Sequence, residues 1–161
     1  MALLAHWAAR YPDKVAAHFP AQGRALTYGA LDARAERVAR WMIGLGLAPG
    51  DAVALLLDNR PEYLELAEGA RRAGLHWVPL SVHLRPQEVA YVLGDSGAGL
   101  LVASPALAPL AAQLLAEGAV GERPRVALGE GLPGYGSYEA ALAAVALAPP
   151  REERPLGQVF L

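Results

Sequence analysis

The sequence predicts an α/β protein: a mostly parallel, twisted sheet of alternating βα units flanked by helices. Three observations carry this. Stretches such as "AVALLLD" (52–58) and "GLLVAS" (99–104) are apolar at consecutive positions, as strands covered on both faces must be. Between such stretches, apolar residues recur at three- and four-residue spacing, the period of a helix with one buried face. The two patterns alternate, with glycine and proline at the joints, which is the rhythm of right-handed crossovers in a parallel sheet.

The elements follow in order. "KVAAHFPAQGRALTY" (14–28) reads as two short strands joined by a turn at Gln22-Gly23. Thr27 is placed to cap a helix whose apolar positions are Leu31, Ala35, Val38, Met42 and Leu45, with Arg34, Arg37 and Arg40 on its other side. Gly44 and Gly46 stop that helix, and "APGD" turns the chain into the strand from Ala52. Asn59 with Glu62 fits a capping box, and Pro61 suits a first helical turn. Tyr63, Leu66, Ala67, Ala70 and Ala73 form the expected inward stripe. Glu65, Glu68 and Arg72 are expected to face water, the last two at favourable i, i+4 spacing. Gly74 closes the helix, and "LHWVPL" is the next strand.

The cycle then repeats. A helix starts near Pro86, "GLLVAS" is a strand, "PALAPLAAQLLAEG" a helix capped by Ser104, and "PRVAL" a strand. "SYEAALAAV" is a helix capped by Ser137. The whole of 1–161 reads as one α/β unit, with 148–161 a proline-rich, charged connector and "QVFL" the start of a further strand.

Composition excludes several classes of function. A net charge of −2 argues against nucleic acid or an anionic membrane as the main partner. No apolar run approaches the ~20 residues of a membrane span. The N-terminus lacks the basic region and cleavage site of a signal peptide. Cysteine is absent, which rules out disulfides, thiolate metal sites and cysteine nucleophiles and fits a cytoplasmic protein. Lys14 is the sole lysine, and no glycine-rich loop lies beside it.

Candidate chemistry is sparse. "GEGLPG" (129–134) matches G-x-G-x-x-G after a strand, but Pro133 interrupts it and the helix begins only at Ser137, so a surface turn is the expectation. "GLGLAPGD" (44–51) is a helix stop and turn. His6, His18, His76 and His83 are dispersed, with no pair at metal-ligand spacing, and no metal site is expected. Asp58 stands at the carboxyl end of a strand, where α/β proteins place ligand groups, but Asp-Asn before proline equally starts a helix. Ser81 and His83 follow the strand "WVPL" at the same edge. No Ser-His-acid set or paired carboxylates stand out, and no catalytic residue is expected.

The order of these signals resembles the N-terminal region of the adenylate-forming superfamily, which includes acyl- and aryl-CoA synthetases. The resemblance rests on "LTYGALD", "GLAPGDAVALLLDN", "AGLHWVPLSVHLRPQEVAYVL" and "SGAGLLVAS" in fixed order, over about residues 24–104. It implies a ligase of the long-chain fatty-acid– or aryl-acid–CoA kind. Such an enzyme uses ATP and Mg2+ to convert a carboxylic acid to an acyl-adenylate, then transfers the acyl group to coenzyme A. The family's Ser/Thr/Gly-rich phosphate loop follows a strand placed where "GQVFL" stands. The chain is therefore expected to be the front segment of such an enzyme, inactive alone, with the remainder of the synthetase as its partner and a homodimer as a further expectation. A stand-alone oligomerisation module derived from such an enzyme is the alternative. The resemblance also maps a coenzyme A edge to Ser81, Val82 and His83, although the family often has Asn where Ser81 stands. The family's acidic residue that completes a capping box with Thr27 is here Ala30.

Overall fold

The computed structural model describes residues 3–129 and 131–146. The element order is α1 (Leu3–Arg10), β1 (Val15–Phe19), β2 (Arg24–Thr27), α2 (Tyr28–Gly44), β3 (Ala52–Leu56), α3 (Pro61–Arg72) and β4 (His76–Pro79). There follow α4 (Pro86–Asp95), β5 (Leu100–Ala103), α5 (Ala108–Ala116), β6 (Arg125–Ala127), β7 (Gly136–Ser137) and α6 (Tyr138–Ala143). Strands β3 to β7 form one parallel sheet in the order β4-β3-β5-β6-β7, and β1 and β2 make a separate antiparallel hairpin. The expected parallel α/β architecture is thus observed. The proposed connector and the strand "QVFL" lie outside the described residues.

Strand alternation divides the core into two layers. Val53, Leu55 and Leu57 of β3 and its continuation, with Leu100 and Val102 of β5, meet Val38, Met42, Leu66 and Tyr138 from α2, α3 and α6. Ala54, Leu56, Leu101 and Ala103 face the other way, against Val89, Leu93, Ala111 and Leu114 of α4 and α5. All five residues of β3 are buried, which explains why its sequence shows no polar alternation.

Local signals held at several joints. The hairpin turn falls at a short 3-10 segment, Pro20–Gln22, closed by Gly23 in the left-handed conformation (φ 60°). The Ala30 amide donates to Thr27 Oγ1 at 3.2 Å, and the Ala140 amide to Ser137 Oγ at 3.2 Å, so both predicted caps form. The Glu88 carboxylate accepts the Arg85 amide at 2.7 Å and closes the start of α4.

Other expectations need correction. Asn59 caps nothing: the residue preceding α3 is Arg60, and Glu62 is engaged instead by Arg60 (2.9 Å) and by Arg24 of β2. Ser104 stands before a 3-10 turn, Pro105–Leu107, and its buried hydroxyl makes no capping bond, because α5 starts only at Ala108. The largest correction concerns α3. Glu65 is 1% exposed and Arg72 8% exposed, so neither faces open water.

The reason lies in how α3 meets α2. Leu66, Ala70 and Ala73 point into the sheet-facing core as expected, whereas Glu62, Glu65, Gly69 and Arg72 form a second stripe at three- and four-residue spacing. Glu65 accepts from Arg34 Nε (2.9 Å) and from the Tyr138 hydroxyl (3.1 Å), while Arg34 also grips Glu139 through two nitrogens at 3.0 and 2.7 Å. Arg72 reaches Asp32 on α2 and Glu68 on its own helix (3.1 Å). These charges are buried because they are paired and hydrogen-bonded across a helix interface.

The carboxylates of this seam should respond to acid in opposite senses. Burial raises the Glu65 pKa, and the arginine and tyrosine contacts only partly offset it. For Glu62 and Glu68 burial acts the same way but is outweighed by arginine hydrogen bonds, so both lie below the usual carboxylate range. Glu62 and Glu68 therefore contribute stability above their unfolded pKa that is lost as pH falls through their folded values. Glu65 carries the opposite sign: its contribution is fully present below its unfolded pKa and is lost as pH rises through the raised folded value. Thermal melts of Glu65→Gln and Glu68→Gln between pH 7 and 3 will separate the two. Loss of Glu68 should flatten the acid limb of the stability curve, and loss of Glu65 should steepen it.

Among the described residues the sheet ends at β4. The His76 and Leu80 amides donate inward to Asp51 and Leu55 carbonyls (2.9 and 3.0 Å), so Trp77 and Pro79 present their backbone to the free edge. Proline has no N–H, which leaves Trp77 as the one amide donor between His76 and Leu80 on that side.

Candidate functional site

In a parallel sheet, ligand groups gather beyond the carboxyl ends of the strands, at the point where the strand order reverses. Here the chain leaves β3 outward to β4, then crosses back to place β5 on the other side of β3. The segments that leave the carboxyl ends of these strands are 57–60 after β3, 80–85 after β4 and the 3-10 turn after β5.

Ser81, Val82 and His83 come together as one exposed turn directly after β4. The Leu84 amide donates to the Ser81 carbonyl (3.2 Å) and the His83 amide to Ser81 Oγ (3.3 Å), so the serine side chain shapes the turn. Val82, 40% exposed, forms one wall of a groove of about 360 Å3, with Leu84 and Pro86 beside it and Leu107, Pro109 and Leu110 opposite. Among the described residues no arginine, lysine or histidine lines this groove. Its lining is mostly apolar, with Gln113 as a polar residue in the wall.

Asp58, just after β3, lies 3.6 Å from Arg60 Nη1, beside the charged cluster of Arg60, Glu62 and Arg24 that ties the β1–β2 hairpin to the start of α3, and its buried Oδ1 has no hydrogen-bond partner among the described residues. "GEGLPG" spans the connection from β6 to β7. Gly134 has φ 80° and packs so tightly that a Cβ there would come within 2.3 Å of Leu115 Cδ2. Arg125 Nε donates to the Gly134 carbonyl (2.6 Å) and the Tyr135 hydroxyl to the Ala111 carbonyl (3.0 Å), so Gly134 and Tyr135 are tied to β6 and α5. Among the described residues no group of three His, Asp or Glu side chains is placed to hold a metal ion. None of their helices is long and apolar enough to cross a membrane.

Sequence reading missed the Arg34–Glu65–Tyr138–Glu139 cluster, whose signal was the 62-65-69-72 stripe on α3 facing a helix rich in arginine. It also missed strand β7, two residues with no apolar content of their own.

Fold and crevice together define a parallel α/β domain of the kind that builds ligand sites at a strand-order switch. The chain belongs to the AMP-binding enzyme family, whose sequence profile matches residues 4–158. It is 41% identical over 108 residues to feruloyl-CoA synthase of Amycolatopsis sp, a match covering 67% of this chain and 21% of that enzyme. It is 38% identical over 108 residues to long-chain fatty acid transport protein 1 of Bos taurus, covering 67% of this chain and 17% of that protein. Among solved structures, a Mycobacterium tuberculosis fatty acyl CoA synthetase superposes with a TM-score of 0.80 at 29% identity, over 94% of this chain and 29% of the synthetase. The chain thus matches less than a quarter of the length of either curated relative.

Proposed function

We propose that this chain is the N-terminal α/β segment of an acid–CoA ligase. The complete enzyme would join a carboxylic acid to coenzyme A through an acyl-adenylate, with ATP and Mg2+, the acid being a long-chain fatty or an aryl acid. The observation that carries this reading is the near-complete superposition of the chain on under a third of a fatty acyl CoA synthetase. The feruloyl-CoA synthase match, at 41% identity, supports the same class of substrate activation. The segment's part is to supply a rigid sheet and one face of the coenzyme A site; the remainder of the ligase is its partner, and the cysteine-free sequence fits work in the cytoplasm. A homodimer belongs to the same reading.

Within this segment, Ser81, Val82 and His83 would form the coenzyme A edge. Their turn opens onto the apolar groove beside Leu107 and Leu110, which fits the adenine ring of the coenzyme. The phosphates would need cations from elsewhere, since none of the described residues lining the groove is cationic. Coenzyme A supplies the acyl-accepting thiol; these residues only position its nucleotide end.

The test has two readouts on the same purified chain. Titration with coenzyme A should shift the amide resonances of Ser81–His83 and of Leu107–Leu110 and leave β6 untouched. Acid-dependent ATP–pyrophosphate exchange should be absent. Shifts confined to other residues would remove the coenzyme A edge, and robust exchange by the chain alone would overturn the segment reading.

A further inference from the structure

We propose that Asp58 and Ser104 form a polar subsite at the strand-order switch that accepts hydrogen bonds from the pantetheine arm of coenzyme A. The inference rests on the coenzyme A edge proposed above. It extends that edge along the same carboxyl rim of the sheet, from the nucleotide end of the coenzyme to the chain that carries its thiol.

Two orphaned oxygens mark the place. Among the described residues, three buried side-chain oxygens lack a hydrogen-bond partner: Asp58 Oδ1, Ser104 Oγ and Ser96 Oγ. Ser96 follows α4, whereas the other two belong to neighbouring strands. Leu56 of β3 stands opposite Ala103 of β5, and the Ser104 amide donates to the Leu56 carbonyl (3.0 Å). Leu57 and Ser104 are therefore the next residues in register, with Asp58 one step further. Neighbouring strands lie about 4.8 Å apart, which puts both orphans within the span of one short, flexible chain. The helix after β3, α3, packs on one face of the sheet, and the helix after β5, α5, packs on the other. The connections part between β3 and β5, and a parallel sheet takes its ligand at such a point.

The chemistry of the pair selects the ligand. Buried polar atoms are hydrogen-bonded as a rule, and leaving one unpaired destabilises a fold. Ser104 is 1% exposed, and its backbone is pinned through its amide and through its carbonyl, which accepts the Leu107 amide at 3.0 Å. The hydroxyl can rotate but not move away. Asp58 Oδ1 lies 3.6 Å from Arg60 Nη1, near enough for charge balance and too far for a hydrogen bond. An acceptor pair whose charge is already balanced suits an uncharged donor better than an anion. In coenzyme A the arm is such a donor, with amide N–H groups and a hydroxyl on a slim, neutral chain. Sheet order agrees: β3 lies between β4 and β5, so Asp58 is flanked by the turn at Ser81–His83 and by Ser104. Ser104 comes just before Ala106 in the wall of the apolar groove. With the adenine in that groove, the arm has a short path to both oxygens. Ser104 is enclosed, so the arm engages it as the following 3-10 turn, Pro105–Leu107, gives way.

The test uses the 161-residue chain with reduced pantetheine, adenosine 3′,5′-bisphosphate and coenzyme A as probes. The first is the arm without the nucleotide, and the second is the nucleotide end without the arm. Pantetheine should shift the amide resonances of Asp58, Asn59, Ser104 and Ala106. The bisphosphate should shift only those of Ser81–His83 and Leu107–Leu110. Ser104→Ala and Asp58→Asn should each raise the coenzyme A dissociation constant roughly 5-fold and leave that of the bisphosphate unchanged. Ser104→Ala should also raise the melting temperature of the free chain, because it removes an unpaired buried hydroxyl; a hydroxyl bonded within the fold would do the reverse. Pantetheine shifts that are absent or confined to other residues overturn the proposal. So do unchanged coenzyme A affinity in both variants and a lowered melting temperature for Ser104→Ala. Bisphosphate shifts at Ser81–His83 with none from pantetheine at Asp58 and Ser104 would sink this subsite and leave the nucleotide edge standing. The reverse pattern would remove the edge and keep the subsite, so the two readings fail separately.

Discussion

Replacing Arg34 with alanine is expected to lower stability by about 3 kcal/mol, the range for removing one partner of a buried ion pair. Arg34 itself is partly accessible, but Glu65 beneath it is 1% exposed and would keep only the Tyr138 hydroxyl as a donor. The uncompensated carboxylate then takes up a proton at the cost of its desolvation, and α6 loses the two bonds from Arg34 to Glu139. At this chain length the midpoint of thermal unfolding should drop by roughly 6–12 °C. The triple variant Arg34→Met, Glu65→Leu, Tyr138→Phe removes every member of the buried group together and should recover most of the loss, because well-packed apolar residues can replace a buried pair at little cost. If Arg34→Ala melts within a degree of the unmodified chain, the cluster is not holding α6 in place.

The second large effect is expected at Gly69. A Cβ there would stand 2.3 Å from Val38 Cγ1, 2.5 Å from Val38 Cβ and 3.0 Å from the Ala35 carbonyl oxygen. Alanine is favoured over glycine in a helix by about 1 kcal/mol, so on propensity alone Gly69→Ala would stabilise. Overlap with a fully buried valine reverses the sign, and a net loss of about 2 kcal/mol is expected as α3 is pushed off α2. The double variant Gly69→Ala, Val38→Ala frees the space and should recover more than the sum of the single changes allows, a coupling that a double-mutant cycle measures. An additive result would mean that the helices do not touch at this point.

These two positions show what the sequence discloses and what it conceals. The strands were legible because burial on both faces demands unbroken apolar runs, as in Ala52–Leu56 and Leu100–Ala103. The caps at Thr27 and Ser137 were legible because they depend on neighbours three residues away. Glu65 and Arg72 were misread because a charge is normally solvated, and only the partner helix, some thirty to forty residues earlier, supplies Arg34 and Asp32 to satisfy them. Asn59 was misread for a related reason: Glu62 is drawn to Arg24 and Arg60 rather than back to the helix start. At the candidate site, residue types placed Ser81 and His83 at the carboxyl edge. The apolar groove on which Val82 opens is made by a second loop more than twenty residues away, which no local pattern announces.

The proline at position 79 has a bearing on how the outer margin of the sheet behaves toward other chains. A sheet that stops on a strand offering a single amide to solvent gives an incoming chain almost nothing to zip onto. Exchange of Pro79 for threonine would restore a second donor at that rim. Fibril-like stacking of the kind a bare, regular margin invites should then appear on prolonged incubation, and faster than with proline in place.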